Sequence, residues 1–175
     1  DLVRSRGLGD VYKRQGEILG EAAVLEKKYV GQTSSYGAEA RGSACKADVV
    51  ISDSWIDYPE VTEADVLGCM SQGTYEQNKA KVNSANGIIF IDAQLIKPDP
   101  SLPVRHISVP ATEKALKELG NRMVANMVLL GSVVKAIGLV REESLVRALT
   151  NRVPPALLEL NKKALALGLD LGKIE

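Results

Sequence analysis

The chain is sparing with residues that redox and nucleic-acid-binding proteins usually use freely. Its 175 residues include two cysteines, Cys45 and Cys69. An iron–sulfur cluster ordinarily takes four thiolates, so this chain alone cannot hold one. The two are not spaced as C-x-x-C, which excludes that zinc or redox motif. Each sits in an apolar, strand-like stretch where a small buried side chain is expected. Aromatic residues make up 4%, too few for a surface that stacks on bases. Lys+Arg 22 balances Asp+Glu 22, a formal net charge of +0, so no basic patch asks for nucleic acid. The single histidine, His106, lies between Arg105 and Ile107 in an alternating run. No Ser, Cys or Asp stands near it as a triad would require, so it reads as structural. The longest apolar run, residues 123–140, is broken by Asn126, Ser132 and Lys135, which argues against a membrane span. Few cysteines and no secretory signal fit a reducing cytoplasm.

What is present reads as a globular α/β chain, 45% hydrophobic and 25% charged, long enough for one domain with a core. Ile18, Ala22 and Leu25 recur at helical spacing over residues 16–28. Residues 29–33, 44–52, 65–70, 87–95 and 104–109 read as strands. The continuous apolar stretch in 44–52 predicts burial on both faces, in a parallel or mixed sheet covered by helices. Ser71 predicts a helix cap, with the helix running to about Val82. Pro98, Pro100 and Pro103 mark an irregular connection. Trp55 and Tyr58 are expected partly buried at a sheet end. Helices follow over 112–119, 124–139, 141–151 and from 154–155 to Gly168. Met123, Met127, Leu130, Val134 and Ile137 are expected on one face, and Gly131 and Gly138 where a neighbouring helix comes close. This alternation predicts a Rossmann-like three-layer α/β domain with a mostly parallel sheet and a helical C-terminal third. Such folds bind ligands at the carboxyl ends of their strands.

The most informative run is residues 34–53. Two glycines, Gly37 and Gly42, frame a polar loop in which Glu39 and Arg41 lie two residues apart, and the loop leads into an apolar strand. Arg41 offers a planar fork of donors suited to a carboxylate or phosphate, and Glu39 can orient it. By itself this is also an ordinary solvated corner. The run, however, resembles the gamma subunit, or gamma domain, of the 2-oxoacid:ferredoxin oxidoreductases, whose pattern reads approximately S-Y-G-P-E-x-R-G-G-x-S/A-x-A-x-V-x-I-S-D. Ser35, Tyr36, Gly37, Glu39, Arg41, Gly42, Ala47, Val49, Ile51, Ser52 and Asp53 fit it, and Ile56 and Pro59 complete its tail. Ala38 replaces the usual Pro and Ser43 the second Gly, which leaves the loop less pre-set.

The resemblance extends to about Leu171, and the final helix is most like gamma subunits of the 2-oxoglutarate-specific branch. It implies a subunit that supports CoA-dependent oxidative decarboxylation with reduction of ferredoxin and is inactive alone. Catalytic residues are expected elsewhere. Thiamine diphosphate, magnesium and iron–sulfur clusters are implied in partner alpha and beta subunits, with or without a delta subunit; this chain alone binds no cofactor or metal. Coenzyme A is the implied co-substrate and ferredoxin an indirect partner. Ser35, Tyr36, Gly37, Glu39, Arg41 and Gly42 become candidates for a CoA-proximal surface or a subunit interface. The alternatives are a gamma subunit for pyruvate, branched-chain or aryl-pyruvate oxidation, or a non-catalytic small-molecule binding module. The family pattern also leads one to expect a first strand and a G-x-G-G-Q-G turn near the start. Residues 1–15 carry only the Gly7-Leu8-Gly9 pair, so they read as a non-native or disordered leader before a single domain over 16–175.

Overall fold

A computed structural model describes residues 2–35, 46–58 and 60–173, with side chains for 14–33, 46–58 and 60–173. The chain forms two compact units, one from residues 1–61 and 138–159, the other from 62–137 and 160–175.

In the first unit a long helix, α1 (Leu2–Leu25), is followed by a hairpin of β1 (Tyr29–Ser35) and β2 (Lys46–Ser52). The strands pair antiparallel, from Tyr29↔Ser52 at one end to Ser35↔Lys46 at the other. The hairpin lies on α1 because Gly16 and Gly20 carry no side chain. A Cβ on Gly16 would sit 3.0 Å from the Ala47 Cβ, and one on Gly20 would sit 3.2 Å from Val30 Cγ1. The other side of α1 packs on α5 (Glu142–Arg152). Ile18, Ala22 and Ala23 of α1 are fully buried, as are Leu145, Ala148 and Leu149 of α5. Polar clamps flank this seam: Asn151 Nδ2 donates to Glu21 Oε1 at 2.7 Å, Arg152 Nε also donates to Glu21, and the Arg141 amide donates to Glu26 Oε1 at 2.7 Å.

The second unit holds a parallel sheet of β3 (Val66–Cys69), β4 (Ile88–Asp92) and β5 (Arg105–Val109), in the order β3-β4-β5. Helix α2 (Gln72–Asn78) follows β3, and Ser71 caps it by accepting from the Thr74 amide at 3.2 Å. A short 3-10 turn, Lys79–Lys81, continues α2 in place of the longer helix expected. Between β4 and β5 the chain crosses over without a helix, because prolines 98, 100 and 103 deny it one. Ile96 and Val104 from this segment join Cys69, Tyr75, Val82, Ile89 and Ile91 in the core. Helix α3 (Ala111–Leu119) and helix α4 (Ala125–Ile137) follow. Helix α6 (Pro155–Leu171) brings its 160–171 stretch against α4. Contact there is backbone on backbone: a Cβ on Gly168 would lie 2.1 Å from the Val128 carbonyl oxygen, and one on Gly131 would lie 2.5 Å from that of Leu165. Ser132 Oγ lies 3.1 Å from the Val128 carbonyl oxygen and 3.0 Å from that of Gly168, and tightens the same seam by bonding to them.

The α/β class, the parallel sheet and the helical C-terminal third agree with the sequence reading. The placement of β2 does not. It is partly exposed along its whole length and pairs with β1 in a separate antiparallel sheet. One face, with Ala47 and Val49, covers α1; the other carries the Lys46–Asp48 ion pair at 2.7 Å. Trp55 and Tyr58 are also more open than expected, at 73% and 68% exposure. Met123 leaves the apolar face because it lies in a 3-10 turn, Arg122–Val124, before α4 begins.

Candidate functional site

The sequence places its candidate surface at the end of the hairpin where Ser35 pairs with Lys46. Ser35 closes β1, and its backbone is described. Tyr36, Gly37, Glu39, Arg41 and Gly42 lie outside the described residues, as does Cys45. The strands that carry this stretch are nonetheless fixed: seven register pairs join them, and α1 supports them from one side. The stretch follows the carboxyl end of β1, but β1 is antiparallel to β2 and lies outside the parallel sheet, so the stretch is not at the carboxyl edge of that sheet. Beyond the far end of the hairpin the motif's last residues are tied down locally. Lys28 Nζ donates to Asp53 Oδ1 at 2.8 Å, and the Ser54 amide donates to Ser52 Oγ at 3.1 Å. Tyr29 and Trp55 meet edge to face there, with ring centroids 5.8 Å apart at 75°.

At the carboxyl end of β4, Asp92 is fully buried. Its Oδ1 accepts from the Gln94 amide at 3.0 Å and its Oδ2 from the Thr112 amide at 2.8 Å. The carboxylate therefore locks the strand end to the first turn of α3, where a negative charge is favourable. Sequence reasoning misses this locking role; an acid closing an apolar strand directly before a turn is its only signal.

A second polar cluster surrounds Tyr75, whose ring is fully buried. Its hydroxyl accepts from the Asp99 amide at 2.8 Å and lies 2.9 Å from His106 Nε2. Lys79 Nζ bonds Glu76 Oε2 at 2.6 Å and Asp99 Oδ2 at 2.9 Å. Asp99 is held well below the usual carboxylate range, first by the Ser101 hydroxyl and then by Lys79. These partners fasten the irregular 93–104 crossover to α2, which gives His106 the structural role read from its sequence context. Chain positions 31 residues apart hide the contact from pattern reading.

Cys69 is free and fully buried, and burial pushes its thiol up to about 12. A buried protonated thiol, in a chain with two cysteines in all, does not fit an iron–sulfur cluster. Among the described residues no group of three or more His, Cys, Asp or Glu is placed to hold a metal ion. No described helix is long and apolar enough to cross a membrane.

Known proteins share both the sequence and the fold. The chain is 38% identical over 161 residues to the 2-oxoglutarate synthase subunit KorC of Methanocaldococcus jannaschii, covering 90% of this chain and 86% of that protein. The crystal structure of a keto/oxoacid ferredoxin oxidoreductase gamma subunit from Geobacter sulfurreducens superposes with a TM-score of 0.82 at 32% identity, over 94% of this chain and 92% of that one. A 2-oxoglutarate:ferredoxin oxidoreductase from Magnetococcus marinus, solved with 2-oxoglutarate, coenzyme A and succinyl-CoA bound, shares the fold with a TM-score of 0.79 at 23% identity. The match covers 91% of this chain but 28% of that longer one. The sequence profile described as pyruvate ferredoxin/flavodoxin oxidoreductase matches residues 9–171. With a hairpin carrying the motif residues and a parallel sheet beside a helical C-terminal third, the chain belongs to the pyruvate ferredoxin/flavodoxin oxidoreductase family.

Proposed function

We propose that this chain is the gamma subunit of a 2-oxoglutarate:ferredoxin oxidoreductase, which converts the oxoacid and coenzyme A to an acyl-CoA while reducing ferredoxin. The observation that carries this reading is 38% identity, over 90% of the chain, to a protein named as a 2-oxoglutarate synthase subunit. The Magnetococcus enzyme, with coenzyme A and succinyl-CoA bound, supports the same co-substrate. The subunit itself supplies no catalytic side chain. Ser35, Tyr36, Gly37, Glu39, Arg41 and Gly42 form a surface that faces coenzyme A or a neighbouring subunit, with Arg41 pairing a phosphate or carboxylate. Thiamine diphosphate, magnesium and iron–sulfur clusters belong to alpha and beta partners in the cytoplasm, and residues 16–175 form the gamma portion. A second reading, with pyruvate as the oxoacid, is favoured by the description of the family profile.

Reconstitution tests the main reading. Mixing the chain with its alpha and beta subunits is expected to give a stable complex that reduces ferredoxin only with both 2-oxoglutarate and coenzyme A. Activity with pyruvate instead would move the assignment to the second reading, and turnover by this chain alone would overturn both. Arg41→Ala is expected to raise the KM for coenzyme A or to weaken assembly; if it does neither, the loop has no such role.

A further inference from the structure

Tyr75 is fully buried, and its hydroxyl has two hydrogen-bond partners among the described residues. The Asp99 amide donates to the hydroxyl oxygen at 2.8 Å, and an amide N–H can do nothing but donate. The hydroxyl's own proton must then go to the other partner, His106 Nε2, 2.9 Å away. A buried hydroxyl whose proton finds no acceptor carries the full desolvation penalty of that donor. Nε2 is therefore the bare nitrogen of the ring, and a neutral imidazole with a bare Nε2 carries its proton on Nδ1.

That arrangement makes the contact sensitive to protons. His106 is half-buried, so its ring is within reach of solvent. A proton added at Nε2 takes up the lone pair that accepts from Tyr75. The imidazolium can only donate, as the Asp99 amide does, and the phenolic proton is left between two donors. The hydroxyl ties α2 to the 93–104 crossover, so the tie weakens at that step. Gln72 on Lys97 and Lys79 on Asp99 are unaffected, so the segment loosens rather than leaves α2. Register places Leu67 of β3 and Ile89 of β4 beside His106, and neither is charged. The charged groups on the elements packed over this face are Glu76 on α2, Lys79 and Lys81 on the 3-10 turn, Lys97 and Asp99 on the crossover, and Arg105 on β5 itself. Both acids are already bonded to Lys79, so neither waits unpaired for an imidazolium.

We propose that the Tyr75–His106 hydrogen bond is a proton-sensitive latch on the β4–β5 crossover, closed when Nε2 is bare and loosened when His106 becomes an imidazolium. The inference stands on the geometry of the second unit and does not depend on the subunit reading above.

His106 is the chain's single histidine, so its ring gives one set of resonances in the isotope-labelled full chain. At neutral pH the nitrogen shifts are expected to show a proton on Nδ1 and none on Nε2. A proton on Nε2 of the neutral ring would overturn the assignment and the latch with it. On acidification, hydrogen-exchange protection of the Asp99 amide, corrected for the intrinsic pH dependence of exchange, is expected to fall about tenfold in step with the ring's own titration. Tyr75→Phe is expected to start with lower protection and to show no such step. His106→Gln offers an amide oxygen that accepts the hydroxyl proton at any pH, and is expected to keep the protection and lose the step. Asp99→Asn is expected to retain the step, which separates the latch from titration of the Asp99 carboxylate. Protection that stays level while the wild-type ring titrates, or a step that survives in Tyr75→Phe, would overturn the latch. The tautomer and the wild-type step need no substitution, so they decide the matter even if a variant does not fold.

Discussion

Val49, Val50 and Ile51 in β2 and Ile89, Phe90 and Ile91 in β4 have nearly the same apolar content, but their surroundings differ. All of β2 is partly exposed, whereas the three β4 residues are fully buried. The difference lies in the neighbours. β4 has a strand on each side, the Tyr75 core on one face and α4 packed nearby. β2 has one strand partner and one supporting helix. Apolar content brings a strand to a surface, and the number of covered faces decides how much of it leaves water. The contrast also separates labour within the chain. The parallel sheet and the α4–α6 seam are buried scaffold, while the hairpin strand β2 stays partly open to water along its length.

The sharpest way to break that comparison is at the α4–α6 seam. A methyl group on Gly168 meets the Val128 backbone at 2.1 Å, and backbone cannot turn aside as a side chain can. Gly168→Ala is expected to cost more than about 3 kcal/mol, at or beyond the top of the usual overpacking range. Chemical denaturation would measure it; a loss under about 1 kcal/mol would mean the helices can part freely. The next largest effect compares the two strands directly. Ile89→Ala is expected to cost about 3 kcal/mol through lost burial and a cavity, and Ile51→Ala about half that, because β2 starts partly wet. Equal losses would mean that the hairpin is covered as fully as the sheet.

Much of the scaffold is legible because its signals are local. Ser71 sits before a helix that needs an acceptor, and the three prolines interrupt the β4–β5 crossover where the structure has no helix. Gly131 reads as a point of close approach and is one. Gly138 reads the same way, but nothing lies within 4 Å of its would-be Cβ. It ends α4 with φ of 70°, which a residue with a side chain rarely adopts. The hairpin is misplaced by sequence reasoning because a run such as Val49-Val50-Ile51 has the same composition in a parallel core strand and in an antiparallel strand lying on a helix. At the candidate site, resemblance finds the motif residues but not the exposed Tyr29 and Trp55 pair. Those two residues meet through the fold, 26 positions apart, and no spacing in the sequence announces them.

A smaller effect is expected at Tyr75. Phe at this position keeps the buried ring but leaves the Asp99 amide and His106 Nε2 without the hydroxyl they share. Tyr75→Phe is therefore expected to cost about 1–2 kcal/mol, the penalty of unpaired polar groups rather than of lost packing. Hydrogen exchange should locate the loss in residues 93–104, the crossover that this hydroxyl fastens. A uniform loss of protection would mean that the crossover does not open by itself.

The weakest expected effect is a dependence on acidity in the same crossover. Asp99 is held below its ordinary range by the Ser101 hydroxyl and by Lys79, so the folded chain favours its charged form more than the unfolded chain does. The stabilisation is then complete above the unfolded carboxylate range and is lost as pH falls through the lowered folded value. Asp99→Asn removes that dependence: the variant should be slightly less stable than the wild type at neutral pH, and the gap should close on acidification. Because these groups face solvent, the effect is small and salt-sensitive. Urea midpoints of both proteins across the acid limb measure it. A gap that widened as pH fell would mean that Asp99 is not held in its charged form by these partners, and the crossover would then depend on Tyr75 alone.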